Sequence, residues 1–551
     1  MKKHHALAWA LAACVLLAPA CGALDPQAKT AGPAGVLTIA NASGSPWTCG
    51  FNPFTMDAGQ SLGPVYEPLA FVNTLGGGTA KPWLASGWRW SAGNRVVTFT
   101  VRAGVSFSNG APLTAADVVF TFGLLKEFPA LDQNKVWSVL SSVSQSGHSL
   151  VVMTFKTPDV PYFYYVADQV PIVSRQVWSR VKDPVSYPDA HPVGTGAYVV
   201  HACTKQTITY TANPHYWVPG EPHIATVEDP AFTSNDPATT SLATGRAQWG
   251  GQFIPNIGAF YLSQSPSFHS WFPPISNVSL VTNLADPVLR NLKVRQAISD
   301  AINRPQVSRI GEYRYELPAN QAGIVTPTFS GWLDKPWVAR LGSGYDPAKA
   351  RRLLASAGYR MGRDGIMTDA HGHKLAFTVD DVAGYSDWAA SVQVIQGDLR
   401  AVGIALTPQN MTYTAYSNRL TYGHFQLAYY AQLGGPTPYY ELQQWLDSAN
   451  SAPIGRAASS DYERYSNSAT DRLINEYAAT TTASAQHRIV RQLAAVVLDD
   501  VPYIPVTEAA DWYEYDTAAF SGWPTSADPY AQPSPYVVPD WGQVLLHLRP
   551  K

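Results

Sequence analysis

The sequence predicts a mixed α/β protein built from more than one domain. Strand-like and helix-like runs intermix along the whole chain, with no internal repeat and no low-complexity tract. At roughly 150 residues per domain, 551 residues correspond to about three or four domain-sized units. A hydrophobic share of 46% in a chain this long builds large cores without metal or disulfide staples.

The elements follow in order. Residues 21–35, rich in Ala, Gly and Pro, read as a linker. Val36-Leu37-Thr38-Ile39-Ala40 is apolar and β-branched and opens as a strand, with Asn41 starting the turn. Arg95 to Arg102 alternates and reads as a strand, as does Leu150 to Phe155. Thr114 and Asp117 stand at capping-box spacing and start a helix that runs to about Leu125. Ala197 to Cys203 and Gln206 to Thr211 pair as a hairpin. Asp346-Pro347 opens a helix that Gly358 stops, with Pro in the first turn and Gly beyond the end.

The N-terminus carries an export signal. Lys2 and Lys3 precede fifteen apolar residues, Ala6 to Ala20, too short to span a membrane comfortably. Residues 1–20 are therefore expected to be a signal peptide. Ala20-Cys21 resembles a bacterial lipobox, in which Cys21 would carry the lipid; ordinary cleavage is the plain alternative. No later run approaches the ~18 apolar residues of a transmembrane helix. In an exported chain Cys49 and Cys203 either pair or remain two buried thiols.

Composition narrows the function classes. With 38 basic and 40 acidic residues the net charge is -2, so no basic field exists to grip a phosphate backbone, and no nucleic-acid partner is expected. Gly59-Gln60-Ser61-Leu62-Gly63 fits G-x-S-x-G. A nucleophile elbow needs a strand before it and a helix after it, and here Asn52-Pro53 and Pro64 predict a loop. A serine hydrolase using Ser61 is the remote alternative. His371-Gly372-His373 reads as a hairpin turn rather than a metal site. No zinc spacing, Walker loop or dinucleotide fingerprint occurs, so no cofactor, metal or catalytic set is expected.

A set of ordered blocks carries a family resemblance. It runs from Tyr66-Glu67-Pro68-Leu69 through Pro82-Trp83-Leu84-Ala85-Ser86-Gly87-Trp88 and Ala103-Gly104-Val105-Ser106-Phe107-Ser108-Asn109-Gly110. It continues with Pro192-Val193-Gly194-Thr195-Gly196-Ala197-Tyr198, Asn213-Pro214-His215-Tyr216-Trp217 and Val294-Arg295-Gln296-Ala297-Ile298. Tyr345-Asp346-Pro347-Ala348-Lys349-Ala350 and Val501-Pro502-Tyr503-Ile504-Pro505-Val506 complete it. Each block alone is weak and most read as turns, caps and core faces. Their order and spacing resemble the family 5 solute-binding proteins of ABC importers, whose members take dipeptides, oligopeptides, nickel or cello-oligosaccharides.

That resemblance implies a two-lobe periplasmic-binding-protein-like fold (class II, type C cluster) that closes on a ligand. Lobe one would take residues 36–280, with an extra subdomain inserted at about 55–185, and again 500–551. Lobe two would take 281–499. The implied role is capture of a small ligand and delivery to an ABC permease and its ATPase, by a monomer on the outer face of the cytoplasmic membrane or in the periplasm, lipid-anchored if the lipobox is used.

The ligand is the open point. Peptide-binding relatives place a carboxylate against the peptide ammonium, because a buried ammonium needs an opposite charge. The corresponding segment is Tyr429-Tyr430-Ala431-Gln432-Leu433-Gly434-Gly435-Pro436, with Gln432 at the acid's place. An amide supplies no charge, so the charge would come from elsewhere, for example Asp381 or Asp387. Trp47, Trp249, Tyr385, Trp388, Tyr430, Tyr439 and Tyr440 are the aromatic candidates for the cleft, alongside Gln432. Aromatic rings suit the flat faces of sugars as well as ordinary packing. A peptide ligand stands first by family default, narrowly ahead of a neutral oligosaccharide.

Overall fold

The computed structural model describes residues 34–42, 46–55, 59–326, 328–332, 344–432, 434–480 and 482–551. Three main sheets organise the chain. The first has seven strands in the order Phe268–Ser270, Glu514–Asp516, Trp249–Gly250, Ala34–Ala40, Ile224–Pro230, Thr207–Ala212, Tyr198–Cys203. Its central strand, Ala34–Ala40, runs parallel to Ile224–Pro230 and Trp249–Gly250. The second has five strands, Ala405–Met411, Ala376–Val382, Leu427–Ala431, Pro274–Thr282 and Tyr503–Ala510. A four-stranded antiparallel sheet, Ala85–Ser91, Val96–Val101, Leu150–Phe155 and Leu140–Ser146, forms the inserted subdomain.

Local sequence accounts for the elements it predicts. Ala34–Ala40, Val96–Val101 and Leu150–Phe155 are strands. The last two bury every second residue, as period-two alternation requires. The helix Ala115–Glu127 starts where Asp117 Oδ2 accepts the Thr114 backbone N–H (2.9 Å) and hydroxyl (2.7 Å). Pro347–Ser356 is capped by Asp346, whose Oδ1 accepts the Lys349 N–H at 2.8 Å, and Gly358 follows it at φ +94. The hairpin forms from Tyr198–Cys203 and Thr207–Ala212. His371 and His373 flank a turn whose Gly372 has φ +86, with both rings exposed.

Gly194 and Gly196 let two backbone segments meet. A Cβ on Gly194 would lie 1.9 Å from the Val65 carbonyl oxygen, and one on Gly196 would lie 2.1 Å from that of Pro64. Close approach of two backbones selects these glycines. The segment they admit passes beside Glu67, whose buried carboxylate accepts the Trp83 indole N–H (2.9 Å), the Tyr216 hydroxyl (2.9 Å) and the Trp217 indole N–H (3.0 Å). Burial raises the Glu67 pKa to about 7 against these donors.

The second sheet buries both faces. Val278 and Leu280 face one apolar cluster with Ile298, Ile395 and Leu399, while Val281 faces another with Trp445, Tyr477 and Leu493. The chain crosses between the large sheets at 271–273 and 511–513, between Phe268–Ser270 and Pro274–Thr282 and again between Tyr503–Ala510 and Glu514–Asp516. The boundary expected at 280/281 therefore falls inside a lobe-two strand. The one expected at 499/500 falls before Tyr503–Ala510, which pairs with Pro274–Thr282 in lobe two. Long-range pairing decides both positions, and local sequence does not encode it.

Cys49 and Cys203 are joined by a disulfide across 154 residues of sequence. It ties the segment after the first strand to the hairpin, where the Trp47 N–H also donates to the Lys205 carbonyl at 3.0 Å. Replacing both cysteines by serine is expected to lower the stability of lobe one by about 2–5 kcal/mol, because the unfolded chain regains loop entropy. A urea titration followed by tryptophan fluorescence measures it; an unchanged midpoint would contradict the expectation.

Candidate functional site

A cavity of about 360 Å³ opens between the two large sheets. This lies in the size range of small-molecule sites. Lobe one contributes Asn41, Ala42, Gly251, Gln252 and Phe253, with Trp512 and Tyr536 from the returning chain. Lobe two contributes Ser276, Glu316, Tyr385, Asp387, Trp388 and Gln432.

Each wall follows from local structure. Asn41 and Ala42 follow the central strand of lobe one, so the chain leaves the sheet at the cleft. Tyr385 is the N-cap residue of the helix Ser386–Ala401, and Asp387 and Trp388 fill its first turn. The Tyr385 and Trp388 rings meet edge to face at 5.3 Å, and Trp388 meets the buried Tyr429 at 5.6 Å. Trp512 sits in the second crossing, braced by Phe253 at 5.5 Å and Phe272 at 5.1 Å. The two lobes thus present an indole each, Trp388 and Trp512.

Of the residues the sequence nominates, Tyr385, Trp388 and Gln432 line this cavity. Gln432 is 3% exposed; its Nε2 donates to the Ser460 carbonyl at 3.3 Å and its Oε1 accepts the Tyr430 hydroxyl at 3.4 Å. The neighbouring Leu433 lies outside the described residues. The other nominated aromatics pack elsewhere. Trp249 is fully buried in lobe one, its indole N–H on the Pro533 carbonyl at 2.8 Å, because its strand pairs on both sides and the chain reaches the cavity only at Gly251. Trp47 donates its indole N–H to the Asp229 carbonyl at 2.7 Å and packs on the lobe-one core. Tyr430 meets Trp445 and Tyr462 edge to face. Tyr439 stacks on Tyr477 at 3.9 Å.

Tyr440 joins the lobes instead of lining the cavity. Its hydroxyl donates to the Pro161 carbonyl at 2.7 Å, and its ring meets Tyr164 and Tyr165 of the inserted subdomain at 5.4 and 5.8 Å. Glu316, Trp512, Gln252 and Phe253 are site residues that sequence reasoning missed. Trp512 lies shortly after the Val501 to Val506 block, which hinted at it; Glu316 carried no signal.

Of the two acids named as alternatives to position 432, Asp387 lines the cavity, whereas Asp381 is fully buried and does not reach it. Burial raises the Asp387 pKa to about 6, opposed by the N–H groups at its helix terminus. Glu316 is raised to about 8, first by burial and then by the neighbouring Asp387 and Glu508 carboxylates. Ser61 stands in a tight turn where its carbonyl accepts the Val65 and Tyr66 N–H groups, and among the described residues no strand–turn–helix elbow surrounds it. Among the described residues no cluster of three or more His, Cys, Asp or Glu could hold a metal ion.

A cleft walled by two α/β lobes, crossed twice by the chain, defines a two-lobe binding protein of the periplasmic type. The chain belongs to the bacterial extracellular solute-binding proteins, family 5, whose model (Middle region) matches residues 79–453. It is 24% identical over 462 residues to the nickel-binding periplasmic protein of Escherichia coli K12, covering 80% of this chain and 83% of that protein. It superimposes on the periplasmic oligopeptide-binding protein of Thermotoga maritima with bound mannohexaose at a TM-score of 0.85 and 25% identity, over 94% of this chain and 98% of that one. The oligopeptide-binding protein AppA of Bacillus subtilis, solved with a nonapeptide, shares the fold at a TM-score of 0.77 and 20% identity, over 94% and 99% of the two chains. These relatives are substrate-binding proteins and not enzymes, and the family is extracytoplasmic. Among the described residues no helix is long and apolar enough to cross a membrane.

Two substitutions separate binding from packing. Trp388→Ala is expected to weaken ligand binding at least about tenfold, because it removes a ring from the wall, and to lower stability less than loss of a fully buried indole, because the half-buried ring packs on Tyr429. Trp249→Ala is expected to cost about 3–5 kcal/mol of stability by opening a core cavity. Calorimetric titration beside thermal melts measures both; the reverse pattern would place the site elsewhere.

Proposed function

We propose that this protein is the capture subunit of an ABC importer. It would hold a small peptide-type ligand in the interlobe cavity and hand it to a membrane permease whose partner subunits hydrolyse ATP. The observation that carries the peptide reading is the pair of buried carboxyl groups on the cavity wall, Glu316 and Asp387. Among the described residues neither has a basic partner. A free peptide brings the positive group that such a wall lacks, and a neutral sugar does not. A neutral oligosaccharide is the second reading. Trp388 and Trp512 favour it, as does the Thermotoga relative with mannohexaose.

A thermal-shift panel of free tripeptides, N-acetylated tripeptides and β-linked oligosaccharides tests the ranking. Free peptides are expected to stabilise the protein most, with acetylation weakening binding at least about tenfold, the value of a charge-assisted hydrogen bond. Stabilisation by oligosaccharides alone would reverse the order of the two readings.

Membrane anchoring through Cys21 belongs to the same proposal; residues 1–33 lie outside the described residues. Cys21→Ser is expected to move the protein from the membrane fraction to the soluble fraction with its folded domain intact. Retention of the variant in the membrane fraction would remove the anchor from the proposal.

A further inference from the structure

Behind the lobe-two wall of the cavity a third acid joins the pair. Gly311 lies so close to the Ser386–Ala401 helix that a Cβ there would meet Ser391 Oγ at 2.0 Å. That approach seats Glu312 on Ser391, whose hydroxyl donates to Glu312 Oε1 at 2.6 Å, while Oε2 has no hydrogen-bond partner. Four residues on, Glu316 returns to the cavity. Its Oε2 accepts the Thr507 hydroxyl at 2.6 Å and its Oε1 accepts the Ala510 N–H at 3.1 Å. Asp387 completes the cluster from the first turn of the helix. Glu312, Glu316 and Asp387 are 0%, 3% and 6% exposed.

Among the described residues the named groups that face this cluster are neutral or acidic. The helix Ser386–Ala401 offers Ser391. Leu427–Ala431 offers the Tyr429 hydroxyl, and Tyr503–Ala510 offers Thr507 and Glu508. Ala376–Val382 offers Asp381, another acid, and Tyr385 stands beside Asp387. Among the described residues no Lys, Arg or His forms an ion pair with any of the three carboxyls. Buried carboxylates that repel one another disfavour full ionisation, so the cluster retains protons. Across the same cavity the Gln252 side chain, 3% exposed, has an Nε2 without a hydrogen-bond partner. An unpaired buried donor lining the cavity is satisfied by an acceptor that a ligand brings.

We propose that Glu312, Glu316 and Asp387 act together as a cation-for-proton exchange site, in which an ammonium or guanidinium group of the ligand seats on Glu316 and Asp387 and displaces a proton from the cluster to solvent. The inference rests on the reading of the cavity as the ligand site. Burial raises the pKa of Asp387 to about 6; burial together with the Asp387 and Glu508 carboxylates raises Glu316 to about 8; and burial together with Glu316 and Asp387 raises Glu312. An incoming cation reverses both effects, because it supplies the opposite charge that favours the ionised forms. Capture therefore strengthens as pH rises from about 6 to about 8, as the retained protons become easier to remove. Glu312 does not reach the cavity and serves as a positioning residue that sets the proton affinity of the other two.

The test is calorimetric titration of the full chain at pH 7 in phosphate and in Tris, buffers of different ionisation enthalpy. The probes are trialanine and agmatine as cations, and N-acetyl-trialanine and cellotriose as probes without one. At least one cationic probe is expected to bind with a heat that differs between the buffers in the sense of proton release. Glu316→Gln and Asp387→Asn should each weaken it about tenfold or more and reduce the protons released. Glu312→Gln should keep binding but move its pH midpoint, which a merely structural role would not do. The buffer comparison uses the native protein and does not depend on any variant folding. Cation binding with the same heat in both buffers, or full affinity in both cavity-wall variants, overturns the exchange site. Binding of cellotriose alone overturns it while leaving solute capture standing. Binding of none of the probes overturns the capture reading on which it rests.

Discussion

The antiparallel pairing of Pro274–Thr282 with Tyr503–Ala510 is the constraint on which the cleft depends. The two strands lie side by side in lobe two and the chain leaves both toward lobe one, so the crossings at 271–273 and 511–513 are neighbours in space. Two adjacent crossings make a hinge with one axis. They also put Ser276, Ala509 and Trp512 at the meeting point of the lobes, where the cavity forms. The strand Tyr503–Ala510 is buried along its whole length, so this part of the hinge is anchored in a core and does not move as a loop.

The blocks that identify the family do not line the interlobe cavity. Tyr66 to Leu69, Pro82 to Trp88, Pro192 to Tyr198 and Asn213 to Trp217 converge on one buried carboxylate, Glu67, which takes three side-chain donors. Arg295, from another block, spends its guanidinium on the carbonyls of Leu289, Arg290, Asp500 and Val501. A buried polar group without partners is costly, so such nodes fix their residues tightly. A family can therefore share its nodes while its members bind unlike ligands, as the relatives named above do.

Stability and capture pull against each other in lobe two. Carboxyl groups buried without a basic partner favour their neutral forms, and each weakens the fold as pH rises from the unfolded pKa through the raised one. A hydrophobic wall would be steadier but could not select a charged ligand. The seam of Tyr440 against Pro161, Tyr164 and Tyr165 works in the other direction, adding contact between the lobes where no ligand is needed. Contact between the lobes is thus supplied at this seam by the protein's own side chains.

Local chemistry was legible in the sequence. The alternation of Val96–Val101, the Thr114 and Asp117 cap, the Asp346-Pro347 start and the ordered blocks each depend on residues close in the chain, and they gave the fold class and family. In the cleft, Tyr385, Trp388 and Gln432 were legible through the family resemblance, which follows residues close in the chain, but the helix that begins at Ser386 was not, and its first turn reads as a loop in the sequence. Other features depend on pairings across hundreds of residues. Which strand returns to lobe two, why Trp249 points into a core while Gln252 and Phe253 face the cavity, and how Gly311 brings Glu312 and Glu316 behind Asp387 are set by sheet register and close backbone approach. A one-residue change of register exchanges the two faces of a strand. The identity of a residue thus determined what it could do, and only the tertiary structure decided whether it faced the ligand or the core.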